Sequence, residues 1–167
     1  MEFIPHIIRD GNDKRTENPL HGCDFCVKYT MPVFEFTIST TENEELIDIT
    51  DEVVGLVGKS KISDGIVHVF IPHATAGVIL NESADPNIRT DFLKAMEKAI
   101  PKRANYLHDR IDQNAAAHIR SAVVGPSLTI PLAKGRVMLG TWQSIMFCEF
   151  DGPRHNRRVI VQVMEGK

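Results

Sequence analysis

The chain has 167 residues, 43% hydrophobic and 25% charged, with a formal net charge of -3. That length buries one sizeable core, and the slightly acidic balance leaves no electrostatic footprint for nucleic acid. No apolar run approaches the roughly 20 residues of a membrane helix, no hydrophobic signal core opens the chain, and three cysteines do not make a disulfide framework. A soluble, cytoplasmic protein that meets neither membrane nor nucleic acid is expected.

Residues 1–31 read as an arm, loose or docked by a few apolar side chains, and residues 32–167 as the folded domain. The arm is punctuated by Pro5, Gly11, Pro19 and Gly22 and is polar between Asp10 and Asn18. It carries His21, Cys23 and Cys26, a fragment of a zinc site or a redox pair, with no second Cys-x-x-Cys to complete it.

Residues 33–39 are β-branched and aromatic and predict a strand. A charged turn follows, and residues 46–49 are a short strand or a helix entry. Thr50 or Asp51 can cap the next helix, with Val53, Val54 and Val57 facing inward. Residues 65–72 predict a strand covered on both faces, with His68 between Ile66 and Phe70 as a core histidine. His73 follows Pro72, at the strand end, where scaffolds present reactive groups. Thr75 and Ala76 are small and leave room beside it.

Residues 78–80 resume as a strand that ends in Asn81-Glu82. Asp85 predicts a helix cap, with Pro86 at the first position. Ile88, Phe92, Leu93, Met96 and Ile100 make that helix's inward face, and Arg89, Asp91, Lys94, Glu97 and Lys98 its wet face. Residues 102–113 are irregular and polar, long for a passive loop. Asn114 then caps a helix that ends at Gly125. This places His118 in the first turn, where the positive end of the helix dipole favours neutral imidazole.

Four strands close the chain, over residues 127–132, 136–139, 141–150 and 159–164. The pattern predicts an α+β fold, a single compact domain with a mostly antiparallel or mixed sheet of short strands and two or three helices. The long strand holds two polar residues, Gln143 and Glu149, on one face, opposite Trp142 and Cys148. Six residues set them ~20 Å apart, so both cannot serve one small site.

The candidates for chemistry are His73, Asn81, Glu82, His108, His118, Gln143 and Glu149. Three histidines with a carboxylate suffice for a divalent ion, zinc or magnesium, with one open position. The basic turn of Arg154, Arg157 and Arg158 suits a small anion or is simply solvated. No Gly-rich phosphate loop or Asp-rich magnesium motif is present.

Several stretches resemble the YjbQ-like family: His73-Ala-Thr-Ala-Gly-Val-Ile-Leu-Asn81-Glu82, Asn105-Tyr106-Leu-His108-Asp109, Ala117-His118-Ile-Arg-Ser121, Gly140-Thr-Trp-Gln143 and Glu149-Phe-Asp-Gly-Pro-Arg154. The match runs over residues 33–166, in order, and leaves the arm outside. The resemblance implies a compact α+β homotrimer and a thiamine-phosphate synthase, which joins a pyrimidine methyl diphosphate to a thiazole phosphate and releases pyrophosphate. It also implies a metal held by His73, His108 and His118. On that basis His73, Asn81, Glu82 and His118 are the expected catalytic residues. Thr75, Gln143, Arg154 and Arg158 are expected to hold a small phosphorylated substrate. A trimeric protein that binds a metal or metabolite without turnover is the alternative, and a blander one has these groups only satisfying one another across a subunit interface.

Overall fold

The computed structural model describes residues 31–166. The predicted arm, with its Cys23–Cys26 pair, lies outside the described residues except for Met31. Three helices and eight strands follow: β1 Val33–Ile38, β2 Glu45–Asp48, α1 Thr50–Ser60, β3 Gly65–Phe70, β4 Ala76–Glu82, α2 Asn87–Ala99, α3 Ala115–Val124, β5 Ser127–Ala133, β6 Arg136–Val137, β7 Gln143–Glu149 and β8 Arg157–Glu165. A short 3-10 turn, Leu107–Arg110, precedes α3. The strands form a five-stranded sheet in the order β1-β8-β3-β5-β6 and a three-stranded sheet in the order β2-β7-β4. Every pairing is antiparallel, and the α+β expectation holds. Among the described residues, no helix is long and apolar enough to cross a membrane.

Two cores share the three-stranded sheet. Phe36, Val67, Val69, Ile130, Val159 and Val161 of the larger sheet pack with Val78, Ile145 and Phe147, and α1 adds Val53 and Val57. On the other face Leu46, Met146, Cys148 and Phe150 meet Ala117 and Val124 of α3 and Phe92 and Leu93 of α2. Strand β7 therefore feeds alternate residues to two cores, which is why Ile145-Met-Phe-Cys148 is apolar without a break. Burying Met146 or Phe147 completely stabilises the fold by about 1.5–3 kcal/mol each. Burial also pushes the Cys148 thiol up to about 12, so this cysteine is no nucleophile.

Strand β3 departs from expectation. Only its Val67 and Val69 side is covered; Ile66 and Phe70 are 38% and 36% exposed. His68 shares their open face and bonds Thr129 Oγ1 through Nδ1 at 3.0 Å. Val54 of α1 also points outward. Thr50 is the first residue of α1 rather than its cap. The carboxylate of Asp48 does the capping, accepting from Thr50 N at 3.0 Å and Thr50 Oγ1 at 2.5 Å. Helix α2 begins one residue later than expected, but Asp85 Oδ1 still takes the N–H of Asn87 at 2.9 Å.

The buried Arg120 of α3 escaped the sequence analysis. Its Nε and Nη2 donate to Ile100 O at 3.0 and 2.7 Å, and Nη2 also pairs with Glu97. Glu97, expected on the wet face of α2, is thus half-buried. Glu44 Oε1 lies 2.7 Å from Arg120 Nη1, and Lys102 Nζ reaches the same oxygen at 2.6 Å. The Arg120 Nη1 contact is misaligned for a hydrogen bond, so it acts by charge. This cluster ties the end of α2 to α3 and to the entry of β2.

Helix α3 lies against β4 with no room to spare. Ser121 Oγ donates to Ala76 O at 2.6 Å and Val78 N to Gly125 O at 3.2 Å. A Cβ on Gly77 would sit 2.6 Å from Gly125 O and 2.8 Å from Val124 Cγ1. Gly77→Ala must therefore push the C-terminal end of α3 off β4. We expect it to lower the unfolding free energy by about 1–3 kcal/mol in urea titration, and an unchanged midpoint would show that the contact is soft.

Candidate functional site

The β4–β7 ladder decides which predicted residues can meet. Ala76 pairs with Glu149 at one end and Glu82 with Gln143 at the other, ~20 Å apart at the usual strand rise. His73 and Thr75 lead into the first end. Asn81 and Glu82 leave at the second.

At the first end Glu149 is completely buried. Its Oε2 accepts from Arg157 Nε at 2.7 Å and Thr40 Oγ1 at 3.1 Å; its Oε1 accepts from Arg157 Nη2 at 2.5 Å. The backbone N–H groups of Phe150 and Asp151 reach Oε1 at 3.0 and 2.9 Å. Arg157 Nη2 also donates to Thr75 Oγ1 at 3.0 Å. Five donors saturate the carboxylate, which makes Glu149 a structural anchor rather than a free acid or base. Thr75, expected to hold substrate, is buried and spends its hydroxyl on Arg157.

His73 sits beside this node. Its Nε2 accepts the backbone N–H of Arg158 at 2.8 Å, which requires an unprotonated Nε2 and so a neutral ring with the proton on Nδ1. Partial burial, then the positive charges of Arg157 and Arg158, hold its pKa below the ordinary 6.5, with Glu149 opposing. Both outer arginines are already engaged. Arg158 grips Glu35 through Nε and Nη2 at 2.7 Å each, and this pairing holds the Glu35 carboxyl below its usual range. Arg154 donates to Asp151 through Nε to the backbone oxygen at 2.8 Å and Nη2 to the carboxylate at 2.7 Å.

His108 and His118 form a separate pair. Their ring centroids are 4.9 Å apart and the rings meet edge to face at 81°. His108 comes from the 3-10 turn and His118 from the first turns of α3. Asp109 Oδ1 takes the N–H of Ala115 at 3.0 Å, and Asn114, at the cap position, turns its amide to Asp151 Oδ2 at 3.2 Å. Asp109 is thus the capping side chain expected of Asn114. The pair opens on a cavity of about 530 Å³ walled by Tyr106, Leu107, Ala115 and Ile119. Among the described residues of one chain, no three His, Cys, Asp or Glu side chains converge as a metal site. The expected set of His73, His108 and His118 is therefore not gathered in a single chain: two of the three meet, and His73 is held at Glu149's end by Arg158.

At the second end Asn81 Oδ1 accepts from Glu82 N at 2.8 Å, and Gln143 Oε1 from Gly140 N at 2.8 Å. Glu82 and Gln143 are exposed, and Trp142 is 65% exposed. The Gly140–Gln143 stretch thus lies on the surface, not in the core.

In the sequence analysis the buried Thr40 was passed over and Arg157 undervalued. The signal was present: Arg157, Val159, Val161 and Val163 alternate, so the strand that carries three buried valines begins on a buried arginine.

These features define a class: an α+β domain in two antiparallel sheets, locked by a buried acid–guanidinium node and carrying an open histidine pair. The family model described as UPF0047 protein YjbQ-like matches residues 34–166, and the chain belongs to that family. A UPF0047 protein of Methanocaldococcus jannaschii is 42% identical over 135 residues, covering 81% of this chain and 96% of the relative. The YugU protein of Bacillus subtilis is 43% identical over 117 residues, covering 70% and 88%. Of solved structures, a YjbQ/UPF0047-family protein of Clostridium acetobutylicum superposes with a TM-score of 0.75 at 42% identity, covering 78% of this chain and 98% of that one. A YbjQ-like protein of Sulfolobus solfataricus gives 0.78 at 34% identity, covering 81% and 99%.

Two variants test the node. Glu149→Gln leaves the Arg157 guanidinium buried without its counter-charge and is expected to destabilise the fold by about 3–5 kcal/mol in chemical denaturation. His73→Gln keeps an acceptor for Arg158 N but cannot titrate. Because the folded pKa of His73 is depressed, the unfolded chain binds more protons as pH falls through 6.5, and stability is lost on that descent. Between about pH 7.5 and 5.5 the thermal midpoint of the wild type should fall more steeply than that of His73→Gln, and parallel slopes would refute the assignment.

Proposed function

We propose that the chain is a metal-assisted enzyme acting on a small phosphorylated metabolite, of the thiamine-phosphate synthase type, and that it works as a homotrimer. The observation that carries this reading is the His108–His118 pair open to a cavity beside an exposed loop. Two imidazoles fit a borderline divalent ion such as zinc better than magnesium, which prefers oxygen ligands. Two ligands fall short of the three a catalytic zinc uses, so the remaining group comes from a second copy. Glu82, an exposed carboxylate, is a candidate for that second contribution, with Asn81 and Gln143 beside it on the β4–β7 ladder. The exposed apolar side chains Trp142, Leu107, Ile111 and Val123 are surface that a neighbouring copy would cover.

A divalent ion at the pair supplies positive charge for a departing diphosphate. The chain's own residues do the rest. Glu82 moves a proton to or from the substrate, Asn81 and Gln143 orient it with their amides, and His73 presents its Nδ1–H as a donor. Pyrophosphate release on joining a pyrimidine methyl diphosphate to a thiazole phosphate is the turnover this arrangement serves.

Zinc titration of metal-free protein, read by calorimetry, tests the reading. The wild type is expected to take up the ion and His118→Ala to bind it more than about tenfold more weakly, both as trimers by light scattering. Mixed trimers of His118→Ala and Glu82→Gln should regain pyrophosphate release, because some of their sites join intact halves from two copies. Absence of uptake by the wild type sinks the metal. Uptake without turnover would replace the enzyme with a metal-binding protein.

A further inference from the structure

We propose that the phosphate end of the substrate is received by Arg103 and Arg110, in a second cavity that adjoins the histidine pair, and not by Arg154 and Arg158. The inference rests on the phosphorylated-substrate reading above and gives it a location. The segment between α2 and α3 walls an open cavity of about 660 Å³ whose lining includes Lys102, Arg103, Asn105, Tyr106, Asp109 and Arg110. That volume suits a small ligand. Tyr106 also lines the cavity at His108 and His118, so the two cavities share a wall.

Within this cavity the carboxylates leave these two arginines unpaired; elsewhere Arg89 and Arg136 likewise enter no ion pair among the described residues. Arg120, Arg154, Arg157 and Arg158 each hold a carboxylate. Arg103 and Arg110 are exposed and enter no ion pair among the described residues. Lys102, on the same wall, is taken up by Glu44 at 2.6 Å and by Asn43 at 2.5 Å. Asp109 is the one carboxylate in the lining, and its Oδ1 caps α3 at Ala115 N, 3.0 Å away. A guanidinium without a carboxylate partner offers a planar pair of donors that matches a phosphate, and two in one cavity match a diphosphate.

Asn105 and Gln113 in the lining are left-handed, with φ of 56° and 55°, as are Lys61, Lys134 and Asn156 elsewhere in the fold. In a chain of net charge -3, a local pair of free cations also draws anions toward the histidines.

The experiment is calorimetric titration with pyrophosphate of the full chain and two double variants. Arg103→Gln/Arg110→Gln should bind at least about tenfold more weakly than wild type, with a weaker dependence on salt. Both side chains are exposed, so its thermal midpoint should match the wild type. Arg154→Gln/Arg158→Gln should bind like the wild type. Retained binding in the first variant with loss in the second overturns the inference while leaving a phosphorylated substrate standing. No binding of pyrophosphate or of inorganic phosphate by the wild type overturns both, even if zinc is taken up.

Discussion

The buried pair of Glu149 and Arg157 is the constraint on which the rest of the molecule depends. Glu149 ends β7 in one sheet and Arg157 begins β8 in the other. Their two bonds, with those from Thr40, Thr75, Phe150 and Asp151, join four segments at one point. Such a pair adds little net stability over well-packed apolar residues, but removing either partner leaves an uncompensated charge in the core. What it adds is registration. Strand β8 cannot slip by one residue without turning Arg157 to solvent and stranding Glu149. The turn between the two strands fits as tightly, since a Cβ on Gly152 would meet Glu42 O at 2.1 Å.

This node also sorts the titratable groups. Near it, each charge has a partner: Arg158 with Glu35, Arg154 with Asp151, and a neutral His73 holding the N–H of Arg158. Groups satisfied in that way hold a scaffold still, though His73 keeps its Nδ1–H for a ligand. Groups with capacity to spare lie away from it, several of them on α3 and the segment before it. There His108 and His118 face a cavity, and Arg103 and Arg110 face the next. The proposed metal and phosphate sites therefore sit on α3 and the segment before it, which the node and the Arg120 cluster keep in place.

Much of this was legible in the chain. The strand pattern set the α+β class, and strand geometry alone separated Gln143 from Glu149, as the ladder bears out. Expectations failed where a residue's neighbours come from distant sequence. An apolar run predicted β3 to be covered on both faces, yet it is β7 that is sandwiched, because α2 and α3 pack on the three-stranded sheet. Glu97 stays half-exposed on the wet face of α2, but its partner, Arg120, lies on another helix and no local pattern shows the pair. Arg154 and Arg158 sit in ion pairs with Asp151 and Glu35, partners that nothing local in the sequence shows. Asn114 had the position of a cap, while Asp109, looping back from the 3-10 turn, had the geometry.

The sequence by itself determined the alternation that makes each strand two-faced, the approximate extent of the helices, and the motifs that place the chain in the YjbQ-like family. Those are local properties, set by side-chain period and backbone preference within a few residues. Only the tertiary structure decided which charges are spent and which are free, and that His108 meets His118 while His73 stays with Arg158. Pairing energies depend on distance in space, and a chain that brings residue 149 against residues 40, 75 and 157 does so by packing two sheets, which no short stretch of sequence encodes.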